Sequence, residues 1–216
     1  MDVYTTTVKF FQEGGLFMYP IAIVLVLGIA IAVERWVFLS LTTVKNQALW
    51  RAVTPHLKAG NLAGAVQVTS KSNAFIGQIM TYGLNRVRSA RRREDIEQAM
   101  EESLMEVLPR LEKRTHYLAT FANIATLLGL LGTIVGLISA FTAVATANPA
   151  EKADLLSASI SVAMNTTAFG LIVAIPLLLA HTLLQTKTTE LVDSLEMASV
   201  KFLNAITERA GRESVP

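Results

Sequence analysis

Residues 163–171 read AMNTTAFGL and set three polar side chains, Asn165, Thr166 and Thr167, in a row inside a run otherwise apolar enough for a bilayer interior. A second hydroxyl lies upstream in LLGLLGTIVGLISAF, where Thr133 stands between Gly132 and Gly136. Hydroxyls donate and accept hydrogen bonds without bearing charge. Rings of them can hold water, a carboxyl group or a partly dehydrated cation in a narrow passage, so the chemistry on offer is ion movement rather than bond making. The plainer reading stands beside it. A lone threonine in a membrane helix returns its hydroxyl to a carbonyl three or four residues back, and small or polar contacts in lipid are packing glue worth roughly 0.6–2 kcal/mol. Asn165 differs, because its amide has more groups than its own helix can satisfy; it calls for a neighbouring helix or water. It stands about 200° around the helix from Thr167, so the two serve different interfaces. Asn165-Thr166-Thr167 also matches a glycosylation sequon, an accidental match at membrane depth.

Other chemistry is thin. The chain has no cysteine, so thiolate nucleophiles and cysteine–zinc sites are excluded, and its three histidines, His56, His116 and His181, are too scattered for a metal site. No Walker A, HExxH or GxSxG pattern occurs. The chain reads as a non-enzyme without cofactor, whose energy must come from a membrane gradient. One charge crossing 100 mV releases about 2.3 kcal/mol. His181 is of the residue type that proton relays use, but its position at a span end favours a structural hydrogen bond to a neighbouring helix. Glu34 and Arg35 read as an interfacial pair, with Arg35 snorkelling toward headgroups and Trp36 in the aromatic belt. The basic run Arg86–Arg93 lacks interleaved aromatics and suits anionic lipid headgroups, not nucleic acid.

These residues need elements to hold them. Of 216 residues, 52% are hydrophobic and 17% charged, against about 25% charged in a soluble domain. Three segments can each form the roughly 20-residue apolar helix that spans a bilayer: residues 16–41, 116–146 and 156–185. The first is too long for a signal-peptide core and lacks a positive n-region, so it is a retained span. Twelve lysines and arginines lie between the first two spans, against one, Lys152, between the second and third. The positive-inside rule places residues 42–115 and 186–216 in the cytoplasm, and residues 1–15 and the loop 147–155 on the periplasmic side.

The fold class is therefore all-α: an integral membrane protein with three transmembrane helices and long helices extending into the cytoplasm. In the cytoplasmic region, residues 47–68 and 74–88 have helical periodicity broken at Gly60 and around Ser70–Asn73. Ile96, Met100, Leu104, Val107 or Leu108, and Leu111 fall on one helix face. Glu94, Asp95 and Glu97 suit its start, and Pro109 predicts a kink or joint. This helix is expected to run into the second span as one rod.

Both later spans carry a stripe of small residues. Gly129, Gly132, Gly136 and Ala140, with Thr133 beside them, form one; Ser159, Ala163, Thr166 or Thr167, Gly170 and Ala174 form the other. Such stripes let helix backbones approach closely in lipid. The spans are expected to pack on each other, on copies of themselves, or around something narrow.

Three stretches, GGLFMYPIAI…ERWVFL, LLGLLGTIVGLISAF and AMNTTAFGLIVAIP, give the chain a resemblance to the MotA/TolQ/ExbB proton-channel family over nearly its whole length. The resemblance implies a bacterial inner-membrane homo-oligomer, a pentamer, around a pore lined by spans two and three. It implies single-span partners of the ExbD/TolR or MotB type, each with a membrane aspartate past which protons, or sodium ions in some members, move, and a TonB-like protein beyond. Thr133 and Thr167 match the pore-facing threonines, with Thr166 and Ser161 as their polar neighbours, and Ala174, Ile175 and Pro176 match the alanine–isoleucine–proline of span three. One departure stands out. Many ExbB and TolQ members carry a glutamate where this chain has Val162, so spans two and three supply no carboxylate and the acid must come from another chain. The implied function is an ExbB/TolQ-like subunit using the proton motive force for an envelope process such as TonB-dependent transport. The alternatives are a gliding or flagellar-type stator and a non-conducting scaffold.

Overall fold

The computed structural model describes residues 14–87 and 92–213, with side chains in the last helix as far as Ile206. The first thirteen residues, Arg88, Arg91 and residues 214–216, on which parts of the sequence reading fall, lie outside the described residues. Six helices follow one another: α1 Met18–Ala59, α2 Leu62–Ser70, α3 Phe75–Val87, α4 Arg93–Glu112, α5 Thr115–Thr146 and α6 Lys152–Glu213. No strand occurs among the described residues. Three helices are long and apolar enough to cross a membrane. The protein is a multi-pass, all-helical membrane protein.

The chain divides into two compact units, Met1–Glu34 with Arg114–Leu183, and Arg35–Lys113 with Leu184–Pro216. The first is the span unit. Its apolar side chains point largely outward: Val26, Leu127, Ile138, Phe141, Ile172 and Leu179 are all exposed. A soluble protein does not present such a continuous apolar surface; lipid or other membrane helices must cover it. Small residues fill its interior instead, with Ala122, Ala125, Ala140, Ala163 and Ala174 buried.

The second unit has an ordinary core, in which Ile79, Met80, Val107, Leu111, Leu195 and Phe202 are fully or almost fully buried. Gly83 of α3 fits where Met100 and Phe202 converge. The breaks expected at Gly60 and around Ser70–Asn73 are where α1 and α2 end. Gly60 has φ +69, which only glycine adopts freely, and Asn61 Oδ1 then accepts from Gly64 N–H at 2.8 Å to start α2. Asp95 Oδ2 accepts from Arg92 N–H at 3.2 Å at the start of α4.

Two features differ from the sequence reading. The expected single rod from α4 into the second span is broken, at Lys113–Arg114 and not at Pro109, which sits inside α4. Arg114 takes the left-handed conformation, φ 66. The cause lies in the carbonyls of Arg110 and Leu111, which a continuing helix would bond to residues 114 and 115; both accept from the Arg35 guanidinium. Pro109 is exposed, so its missing N–H costs α4 little. The loop between α5 and α6 is also shorter than the expected 147–155, because α6 already begins at Lys152.

Candidate ion pathway

The span unit is built on close approach of α5 and α6. A Cβ on Gly129 would lie 3.2 Å from Thr167 Cα and 3.3 Å from Gly170 Cα. One on Gly170 would lie 2.7 Å from the Ala125 carbonyl oxygen, and one on Gly136 2.9 Å from Ala163 Cβ. The two small-residue stripes are thus packed on each other in one chain, backbone to backbone, as small residues allow in lipid. Further along the same face of α6, Gly28 of α1 accommodates Leu177, whose Cδ2 would lie 2.5 Å from a Cβ there.

Thr167 sits half-buried beside this seam, its hydroxyl donating across to the Gly129 carbonyl at 2.8 Å. Most span threonines behave differently. Thr126 and Thr142 bond carbonyls four residues back in their own helix, and Thr133 bonds the Leu130 carbonyl at 2.6 Å. Thr133 follows the plain local pattern, whereas Thr167 ties two spans together. In both, the hydroxyl hydrogen is spent on a backbone carbonyl, and what remains for a visitor is oxygen lone pairs. These oxygens accept; they do not donate.

Thr166 requires a correction. It is expected as a pore-lining neighbour, but it is 2% exposed and faces into the unit, against Gly132. Its hydroxyl lies 2.5 Å from the Gly14 carbonyl and 3.0 Å from the Val162 carbonyl. It anchors the segment before α1. Val162 belongs to the same place: its Cγ1 would be 3.1 Å from a Cβ on Gly15. A groove of about 260 Å³ runs here, lined by Gly14, Phe17, Gly132, Ser139, Ser159 and Val162 among others. Ser161 is exposed on α6. Asn165 is half-buried and makes no hydrogen bond among the described residues, so its amide still awaits a partner. Pro176 is exposed while Ala174 beside it is buried.

The residues expected at the inner interface separate by unit. In the span unit Glu34 pairs with Arg114, Oε2 to Nη1 at 3.0 Å, with both side chains about half exposed; such a pair is worth at most about 1 kcal/mol. His181 is half-buried and makes no hydrogen bond among the described residues. In the second unit Arg35 is the other correction. It does not snorkel to headgroups but is 3% exposed, donating to the carbonyls of Arg110, at 3.5 Å, and Leu111, with its guanidinium 5.0 Å from the Phe38 ring centroid. Cations suit a helix C-terminus, and this one clamps α4. Its place beside Glu34 at the end of an apolar run hid that role in the sequence. Trp36 is half exposed, with Lys187 Nζ 4.2 Å from its ring centroid and 2.6 Å from Ser40 Oγ.

Among the described residues, no cluster of histidine, aspartate and glutamate could hold a metal. Between Arg114 and Glu151, and between Asp154 and Lys187, there is no charged side chain at all. What the span unit offers is therefore uncharged acceptors beside a tight seam. The model of the MotA/TolQ/ExbB proton channel family matches residues 71–197, more than half of the chain. The chain belongs to that family. Within the MotA/TolQ/ExbB family it is similar to a biopolymer transport protein ExbB homolog of Methanothermobacter thermautotrophicus, 26% identical over 199 residues that cover 91% of this chain and 69% of the relative. It is also similar to biopolymer transport protein ExbB-like 1 of Synechocystis, 28% identical over 190 residues, 85% of this chain and 72% of the relative. The Tol-Pal system protein TolQ of Haemophilus influenzae is 30% identical over 116 residues, covering 54% of this chain and 49% of that protein.

Proposed function

We propose that this MotA/TolQ/ExbB-family subunit forms a homopentameric ring in a bacterial inner membrane, N-terminus outward and the 42–115 region and tail in the cytoplasm. With a single-span ExbD/TolR-like partner carrying a membrane aspartate, it passes protons and drives an envelope process such as TonB-dependent transport. The observation that carries this reading is the state of Thr133 and Thr167. Both hydroxyl hydrogens are donated to backbone carbonyls, at 2.6 and 2.8 Å, so the two oxygens present acceptors in spans that hold no charge. An acceptor-only surface suits a hydronium, a hydrated cation or a protonated carboxyl; it does not solvate a carboxylate anion. A partner aspartate is then held in its proton-loaded form while it lies beside these threonines, and it loses the proton where water reaches it. Asn165, with its amide unpartnered, supports assembly, since a buried amide in lipid needs a neighbour.

A sodium-driven stator is the second reading, because the same acceptor oxygens coordinate a bare cation equally well. Flux in proteoliposomes holding this chain and its partner tests both. Loss of flux in Thr133→Ala, in Thr167→Ala and on removal of the partner aspartate, in complexes that still assemble, is the expected result. Flux that persists when choline replaces sodium identifies protons. Assembled mutants that conduct as well as the wild type overturn the pathway, and the scaffold reading takes its place.

A further inference from the structure

The second unit carries two grooves of opposite charge on opposite flanks of α6. On one flank a groove of about 420 Å³ is lined by Arg51, Lys187 and Lys201, with Glu190 the one acid among its lining residues. On the other a groove of about 510 Å³ is lined by Glu97, Glu101 and Glu196 and by no basic residue. Along α6, residues 190, 194, 197 and 201 belong to the first and 192, 196, 199 and 203 to the second. Each set steps by four, three and four, and the sets stand about 200° apart around the helix.

Both grooves have apolar floors left uncovered. Met197 on the basic side is 56% exposed; Met105 and Val200 on the acidic side are 69% and 52% exposed. Asn46 lines the basic groove and is 4% exposed. Its Oδ1 accepts from Ile76 N–H at 3.3 Å, which fixes the amide's orientation, and its Nδ2 has no acceptor among the described residues. That groove thus combines cations, a donor in want of an acceptor and open apolar surface.

The charges also match in height. Ser40 bonds Lys187 at 2.6 Å and Arg93 bonds Asn204 at 2.7 Å, which sets α1 and α4 in register against α6. Counting from these bonds at about 1.5 Å per residue, Arg51 lies level with residue 198, and Glu101 and Glu97 lie level with residues 196 and 200. Cations at levels 198 and 201 on one flank therefore stand opposite acids at 196 to 200 on the other.

We infer that the basic groove of one copy receives the acidic flank of the next, Arg51 and Lys201 against Glu97, Glu101 and Glu196, with Met197 covering the apolar floor. Two different patches on opposite sides of one subunit make a head-to-tail contact, which closes into a ring rather than a two-fold dimer. Charge complementarity at this contact fixes its register and excludes wrong partners. The inference rests on the ring proposed above and adds to it the faces that meet.

The absence of cysteine permits a direct test in the full chain, purified in detergent with its partner. The double variant Glu101→Cys/Met197→Cys, treated with a short bismaleimide, is expected to give a ladder that stops at the ring size. Each single variant gives none, and within one chain the two positions lie on opposite flanks. Arg51→Glu/Lys201→Glu and Glu97→Lys/Glu101→Lys each reduce the ring fraction in native mass spectra at least tenfold, and the quadruple variant restores it; all four side chains are exposed, so helicity stays unchanged. Cross-linking by a single-cysteine variant means a two-fold contact and overturns the inference. An intact ring indifferent to both charge reversals and without cross-links overturns the assigned faces while the ring stands. Phospholipid adducts lost from an intact ring in Arg51→Glu/Lys201→Glu make the groove a lipid site and also overturn it. A wild type that is never oligomeric removes the ring itself.

Discussion

Replacing Gly170 by alanine is the sharpest probe of the span seam. The added Cβ would meet the Ala125 carbonyl oxygen at 2.7 Å and Gly129 Cα at 3.1 Å, both backbone atoms that cannot rotate away. Reaching an ordinary contact of about 3.4 Å requires α5 and α6 to part by about 0.7 Å. The Thr167–Gly129 hydrogen bond, now 2.8 Å, would stretch toward about 3.5 Å and be lost. Overpacking of this kind costs about 1–3 kcal/mol and the hydrogen bond about 0.6 kcal/mol more. Alanine's better helix propensity returns about 0.5–1 kcal/mol, leaving a net loss of about 1–3 kcal/mol. Gly28→Ala is the control. There the obstructing atoms are the tip of the Leu177 side chain, 2.5 Å from the new Cβ, which can turn aside, so the propensity gain offsets the strain within about 0.5 kcal/mol. Thermal unfolding in detergent at one fixed scan rate, since unfolding of such proteins is irreversible, is expected to show a fall of roughly 2–10 °C for Gly170→Ala and almost none for Gly28→Ala. A Gly170→Ala protein as stable as the wild type refutes the backbone-to-backbone seam.

Thr166→Val keeps the volume but leaves the Gly14 carbonyl without its 2.5 Å donor; a loss of about 1–2 kcal/mol is expected in the same melt, whereas Thr166→Ser retains most of the stability. Arg35→Ala strips the clamp from the last carbonyls of α4 and is expected to cost about 2–3 kcal/mol and to speed proteolysis after Lys113 and Arg114. Arg35→Lys does not restore it, because an ammonium lacks the fork that reaches two carbonyls; full rescue by lysine counts against the clamp. At Arg114, held at φ 66, Arg114→Asn is expected to be nearly neutral and Arg114→Val to cost about 1–2 kcal/mol, compared by Tm. In flux assays Thr167→Ser is expected to conduct and Thr167→Val to fail, since only serine keeps the acceptor oxygen.

Much of this protein was legible in one dimension because the bilayer imposes a rule that acts residue by residue. Every span must be a helix of apolar side chains about 20 residues long, so three spans follow from runs such as LFMYPIAIVLVLGIAIAV without any knowledge of packing. Gly60 announced the end of α1 because left-handed backbone has almost no other occupant. The stripes of Gly129, Gly132 and Gly136 and of Ala163, Gly170 and Ala174 announced a close seam because lipid rewards only close backbone approach. These are local signals. Where a partner is many residues away, the sequence could only leave choices open. Thr166 and Thr167 are adjacent and alike, yet one is buried against Gly14, 152 positions away, and the other bonds Gly129, 38 positions back; the roughly 100° turn between them puts them on different neighbours. Arg35 read as a headgroup ligand until α4 brought two carbonyls to it, and those same bonds moved the joint from Pro109 to Arg114. The two charged grooves are likewise invisible in the chain, because Arg51, Glu97 and Glu101 come to α6 from other helices. The sequence determined that the chain is a three-span helical membrane protein with small-residue seams, because that depends on solvent and period. The tertiary structure decided which hydroxyl faces inward, which cation is a clamp and which charges share a groove, because hydrogen bonds reach only about 3 Å and only folding sets such distances.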